Sequence, residues 1–357
     1  MNRMQTLLSV PKPENRAWLI SSGVNRRYLT DFSSSAGTIA LVGGEAYLLV
    51  DSRYVEAAQK NARDCTVLLE TGRNAVLKDL LLGHGVKTVS VETKTTSLAE
   101  VRCLNAQLAP VEIDQEDDSV SRTLDEMRRI KSPEEIDCLR RAQRISEDAL
   151  AKAARRIRPG VSELDIMMTI GMERTMAGCE ARSMDMIFTS GVDTSLPHGN
   201  PKIRNIQDGD FVMVDMGSTI GGYASDMTRT LAVGHVTDRQ RDVYNTVLDA
   251  QLAALEKIRP GVRCRDVDRA ARQVVEKSPF AEYCFGHGLG HSLGLEIHEE
   301  PRFNPTDETL LRPGMVITVE PGIYIPGAFG VRIEDMVLIT EDGYENLTHF
   351  PKQLTIL

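Results

Sequence analysis

The sequence contains no C-x-x-C pair; its six cysteines, at 65, 103, 138, 179, 264 and 284, are scattered through 357 residues. No disulfide-framework spacing is present either, so reduced, buried thiols are expected. No apolar run approaches the roughly 20 residues needed to cross a bilayer. The best candidate, 32–44, is interrupted by serines and glycines. The opening MNRMQTLLSVPKPENR lacks an apolar core followed by a cleavage site, so a cytoplasmic location and no membrane partner are expected. Positive charge is also scarce. Lys plus Arg is 42 against 51 for Asp plus Glu, a net charge of −9, which argues against a nucleic-acid partner.

What is present is ordinary globular material, 41% hydrophobic and 26% charged, in a length that suits two domains at about 150 residues each. The first part alternates strand and helix. Runs 38–42 and 46–50 flank Gly43-Gly44 as a hairpin, and helix 54–62, strand 66–69, helix 74–82 and strand 88–91 follow. This reads as a small α/β domain over 1–118, ending in the acidic stretch DQEDD, with 119–131 as a linker. A second domain, 132–357, opens with Ser132-Pro133-Glu134-Glu135. Ser132 can cap, Pro133 suits the first helical turn and Glu135 completes a capping box. Ile136, Leu139, Ala142, Ile145 and Ala149 continue with helical period until Arg158-Pro159-Gly160 breaks it.

That domain carries an internal echo. Ile157-Arg-Pro-Gly-Val161, then Asp165-Ile166, recurs as Ile258-Arg-Pro-Gly-Val262, then Asp266-Val267. Each copy lies between helical stretches and precedes a strand pair: 211–215 with 226–233, and 315–320 with 331–339. Two α-α-β-β halves related by a pseudo-twofold result, and the whole chain is α+β in class. The halves also match in chemistry. Asp215 ends one apolar run with Asp226 on the next, and Glu320 ends another with Glu334 on the next. A twofold would bring the four acids together, which only cations can make tolerable.

Histidines add to the set. His198 lies in LPHG, and His287, His291 and His298 lie in FGHGLGHSLGLEIHEEP. Gly286, Gly288, Gly290 and Gly294 make a long helix costly there, so a strand or irregular ribbon is expected. The glycines have neither dinucleotide nor P-loop spacing. His84, His235 and His349 read as ordinary surface or core residues.

Asp215 and Asp226 together with GHGLGHSLGLEIHEEP, TVEPGIY and VRIED resemble the pita-bread metallopeptidases (family M24). These include Xaa-Pro aminopeptidases, Xaa-Pro dipeptidases (prolidases) and methionine aminopeptidases. LLVDSRY at 48–54 is similar to the creatinase-type N-terminal domain of the proline-directed members. The resemblance implies a pita-bread catalytic domain behind that smaller α/β domain. It makes Asp215, Asp226, His291, Glu320 and Glu334 the ligands of two divalent metal ions. His291 is preferred to His287 because the family ligand precedes the HEEP histidine by seven residues. A hard, oxygen-rich set suits manganese first, with cobalt, iron or zinc as alternatives.

The resemblance further implies cleavage of the N-terminal peptide bond before a proline at the second position, by a metal-bridging hydroxide. Glu320 would shuttle the proton, His298 would stabilise the oxyanion and His198 would lie near the leaving nitrogen. His287 would support them, with Arg332 orienting Glu334 or Asp226 and Tyr223 behind the ligands. The expected activity is an Xaa-Pro aminopeptidase acting on peptides, as a homodimer. The alternatives are a prolidase restricted to dipeptides, with Arg302 holding the substrate carboxylate, and a non-catalytic pita-bread binding protein.

Overall fold

A computed structural model describes residues 2–180 and 186–357. The chain divides into two compact units, Met1–Arg128 and Arg129–Leu357.

The first unit is built on a six-stranded mixed sheet ordered Thr66–Leu69, Glu45–Val50, Thr38–Val42, Arg16–Ile20, Thr88–Val91, Glu112–Asp114. The expected hairpin is there. Gly43 and Gly44 take φ of 61° and 81°, the positive values that a tight hairpin turn demands and that glycine adopts without strain. The central strand Arg16–Ile20 gave no signal in the sequence. It pairs antiparallel with Thr38–Val42 and parallel with Thr88–Val91, and four of its five residues are buried. A strand covered on both faces has no polar alternation to read. The stretch expected as a linker over 119–131 is instead largely helix, Ser119–Arg129. Val120, Leu124 and Arg128 recur every four residues and are buried, a spacing that gives a helix one packed face.

In the second unit Ser132 caps the helix Pro133–Ala154 as expected. Its hydroxyl accepts from the Glu135 N–H at 3.3 Å, and the Glu135 carboxylate accepts from the Ser132 N–H at 2.7 Å. The sequence echo is a true duplication, visible in the backbone bonds. Gly160 donates to Ile206 O at 2.8 Å and Gly261 to Leu311 O at 2.9 Å; Ile206 and Leu311 donate back to Val161 O and Val262 O, both at 2.9 Å. Further on, Gly209 and Gly314 share a φ of 86°.

Each half then lays down antiparallel strands. In the first, Phe211–Met216 lies between Met186–Ser190 and Met227–Ala232. In the second, five strands run in the order Glu299–Phe303, Gly290–Ser292, Val316–Val319, Asp335–Ile339, Tyr344–Asn346. The single strand expected over 331–339 is in fact two. Phe329–Arg332 pairs with Gly322–Ile325, whereas Asp335–Ile339 pairs with Val316–Val319. The chain changes partners at Ile333-Glu334. The first half does the same at Ser225-Asp226, between Tyr223–Ala224 and Met227–Ala232. Each junction leaves one carboxylate outside the ladders.

Gly290 lets two strands approach closely: a Cβ there would lie 2.0 Å from the Thr318 carbonyl oxygen, whereas one at Gly286 would meet no atom within 4 Å. Gly290→Ala should therefore cost about 1–3 kcal/mol of stability through forced backbone displacement, with Gly286→Ala near neutral. Urea unfolding of the two variants checks this, and equal losses would contradict it.

Candidate metal centre

The four acids and His291 are delivered by the two junctions and by the strand ends opposite them. Asp215 is near the end of Phe211–Met216, Glu320 directly follows Val316–Val319, and Asp226 and Glu334 occupy the junctions. His291 sits mid-strand in Gly290–Ser292, where the register shifts against Glu299–Phe303. All five line one cavity of about 440 Å³, together with His198, His287, His298, Arg302 and Arg332. His291 Nε2 lies 3.7 Å from Asp226 Oδ2 and 3.5 Å from Glu320 Oε1. Ligand atoms of Asp226, His291 and Glu334 all fall within 4.8 Å of one another.

The hydrogen bonds prepare these groups to bind. His291 Nδ1 meets Ser292 O at 3.1 Å, so that nitrogen carries the proton and Nε2 keeps its lone pair toward the acids. The Thr228 hydroxyl donates to Glu334 Oε2 at 2.7 Å, while Glu334 Oε1 is buried with no hydrogen-bond partner among the described residues. An orphaned carboxylate oxygen inside a protein is costly. The electrostatics agree. Burial, reinforced by the neighbouring Asp215, pushes the Glu320 carboxyl up to about 8. Burial and the surrounding carboxylates hold Asp226 and Glu334 well above the usual range. Desolvation drops His291 to about 4, leaving it a neutral ligand at pH 7. Among the described residues four acids face one buried guanidinium, Arg332, whose charge Tyr324, Asp215 and Glu320 stabilise against burial. The missing positive charge, the orphaned oxygen and the hard oxygen-rich donors all fit divalent cations.

Comparison with known proteins agrees with this geometry. Residues 137–341 match metallopeptidase family M24, and residues 14–130 match the creatinase/prolidase N-terminal domain. The chain belongs to metallopeptidase family M24. It is 35% identical to an Xaa-Pro dipeptidase of Pyrococcus horikoshii over 95% of this chain and 94% of that one. Among solved structures, an Xaa-Pro dipeptidase from Bacillus anthracis matches with a TM-score of 0.90 and 36% identity, covering 96% of this chain and 95% of that one. An X-Pro aminopeptidase from Thermotoga maritima matches with a TM-score of 0.90 and 31% identity over the whole of both chains. The fold is thus a creatinase-type N-terminal domain followed by a pita-bread domain, in a member of M24, a family that depends on dinuclear metal.

Within this M24 site two expected partnerships differ. Arg332 bonds neither Glu334 nor Asp226 directly: its Nη2 donates to Asp215 Oδ2, its Nη1 to Tyr324 Oη at 2.8 Å, and its Nε to the Thr228 hydroxyl at 3.2 Å, through which it reaches Glu334. Thr228 is what holds Glu334. Tyr223 lies away from the ligands. Its hydroxyl donates to Glu135 Oε1 at 2.6 Å, and its ring packs in a core cluster with Leu139 and Leu293, because a buried phenol needs a polar partner. His298 stacks edge-on to His291 with centroids 4.4 Å apart. His198 and Arg302 are exposed at the cavity. His84 and His235 bond locally to Leu80 O and Asp208.

Three contributors escaped the sequence reading: Thr228, Thr318 and Tyr324. Thr318 accepts from the His291 N–H at 3.0 Å and donates to Glu320 Oε1 at 3.4 Å. Each threonine lies two residues from a ligand, a spacing that places strand side chains on one face and could have revealed both. Tyr324 belongs to the next strand, Gly322–Ile325, after a break at Glu320-Pro321 where no periodicity carries over.

Stability of the metal-free protein should depend on pH with two opposed signs. A raised acid such as Glu320 stabilises fully below its ordinary 4.5, and that contribution is lost as pH rises toward 8. His287 and His291, lowered from 6.5 to about 4, stabilise above 6.5 and lose that contribution as pH falls. Between pH 6.5 and 8 only the carboxylates act, so the thermal midpoint without metal should fall across that window. Saturating manganese should abolish the fall; a flat metal-free profile would contradict the assignment.

Proposed function

We propose that this M24 peptidase is an Xaa-Pro dipeptidase, releasing the first residue from a proline that follows it. What carries the proposal is the convergence of Asp215, Asp226, Glu320, Glu334 and His291 on one cavity, with too little positive charge among the described residues to balance them. Those five are the proposed ligands, manganese being first choice among the metals. When bound, the cations supply Lewis acidity and lower the pKa of a water toward neutrality.

The chain's own groups do the rest. Glu320, whose carboxyl retains a proton near neutral pH without cations, accepts the proton of the attacking water and passes it to the departing nitrogen. His298, at the cavity wall beside His291, donates to the oxygen that becomes negative. His198 lies where it can meet the leaving side, and Arg332 ties that loop down through Pro197 O at 3.1 Å. Proline at the second position presents a tertiary amide, so nothing in the site has to satisfy an N–H there.

The choice of dipeptidase over the aminopeptidase expected first from the sequence rests on three supports. Relatives named Xaa-Pro dipeptidase, from Pyrococcus horikoshii and Pyrococcus furiosus, are 35% and 36% identical. The cavity of about 440 Å³ suits a short ligand. Arg302 at its wall offers a planar fork to a C-terminal carboxylate. The likeness to the Thermotoga maritima X-Pro aminopeptidase keeps the longer-peptide reading as the second one.

Hydrolysis of Xaa-Pro and Xaa-Pro-Xaa-Xaa peptides, measured side by side, separates the two readings. We expect the dipeptide to be preferred and Arg302→Met to raise its KM about tenfold with little change in kcat; equal turnover of both lengths would favour the aminopeptidase. Chelation should remove activity and manganese restore it. Glu320→Gln should lower kcat by about 10²–10⁴, and an active variant would remove Glu320 from the proton path.

A further inference from the structure

The duplication provides an internal control for residues that the fold alone does not require. The helices Glu163–Met176 and Cys264–Glu276 begin, like the two Ile-Arg-Pro-Gly-Val segments, at an offset of 101 residues. At that offset Asp268 and Arg272 of the second helix correspond to Met167 and Gly171 of the first. The architecture therefore forms without an ion pair at these positions. In the second half the pair is elaborate. Arg272 Nε and Nη2 donate to the two oxygens of Asp268 at 2.7 and 3.1 Å, one helical turn apart.

Both residues also reach outward to the glycine ribbon. Arg272 Nη1 donates to Phe285 O at 2.8 Å and Nη2 to His287 O at 2.6 Å. Asp268 Oδ1 accepts from the Leu289 N–H at 3.1 Å, and the guanidinium carbon lies 4.3 Å from the Phe285 ring centre. The grip falls on residues 285, 287 and 289, and the residues between them, Gly286 and Gly288, have the greatest backbone freedom to lose. This stretch lies before the strand Gly290–Ser292 begins.

What the ribbon presents is His287. Its Nδ1 donates to Gly288 O at 2.8 Å, so Nε2 accepts from the Tyr324 hydroxyl at 3.1 Å. Tyr324 Oη in turn accepts from Arg332, which holds Asp215. We propose that the Asp268–Arg272 pair is a positioning device for the site: by fixing the ribbon 285–289 it sets His287 against Tyr324, and through Arg332 it fixes Asp215. Neither residue touches substrate. The catalytic consequence rests on the peptidase reading above, whereas the grip on the ribbon does not.

The test uses the full-length protein and two independent readouts. In Arg272→Met, amide exchange at Leu289 should accelerate at least tenfold. Its kcat/KM for an Xaa-Pro dipeptide should fall roughly 10- to 100-fold, mostly in kcat, as expected of a small misplacement in a preorganised site. In a His287→Ala background the same substitution should cost less than twofold, because the group it positions is gone. Arg272→Lys keeps a charge opposite Asp268 but loses the fork. It should lie between wild type and Arg272→Met, and it stands in if the latter does not fold. Unchanged exchange at Leu289, or losses that multiply in the double variant, would overturn the proposal. Absence of Xaa-Pro hydrolysis in the wild type would instead sink the dipeptidase reading and leave the exchange arm to decide the clamp.

Discussion

Repulsion among buried acids is the constraint on which the second unit is organised. Asp226 and Glu334 are each less than a tenth exposed, and Asp215 and Glu320 stand beside them with Arg332 the only buried cation lining the cavity among the described residues. Burial first, and then the neighbouring Asp215, push protons onto such acids and raise Glu320 to about 8. A folded chain keeps this strain only where something compensates it, and divalent cations compensate it while supplying the chemistry of amide hydrolysis.

The duplicated fold is what makes the arrangement possible. Each half bends one strand away from its neighbour just before the next strand begins, and each bend releases one carboxylate into the interior. The twofold then sets the two bends against each other. Glu334 N–H donates to Thr228 O at 3.0 Å, and Thr230 and Arg332 exchange bonds between hydroxyl and main chain. The halves are stitched together within a few residues of the four acids, so packing and site geometry are set by the same contacts. The histidine ribbon belongs to the second half alone. That asymmetry adds His287, His291 and His298 to an otherwise symmetric set of acids.

Much of this was legible in the sequence because it rests on local signals. The capping box at Ser132, the glycine hairpin at 43–44 and the repeated Ile-Arg-Pro-Gly-Val segment are each written in a handful of adjacent residues. What escaped reading depends on contacts distant in the chain. The central strand Arg16–Ile20 is buried on both faces, the stretch 119–131 reads only as a linker, and Tyr324 meets Arg332 only across a turn. Tyr223 was misplaced for the same reason. Its neighbour in sequence is Asp226, but its neighbour in space is Glu135 on the helix Pro133–Ala154.

By itself the sequence singled out four acids at matching places in a repeat, because residue type and spacing are properties of the chain, while the choice of His291 among the histidines came from the family resemblance. Tertiary structure decided who serves whom. Arg332 went to Asp215 and Thr228 to Glu334, since a guanidinium or hydroxyl bonds whatever the folded backbone brings within about 3 Å, and that distance does not exist until the two halves have closed on each other.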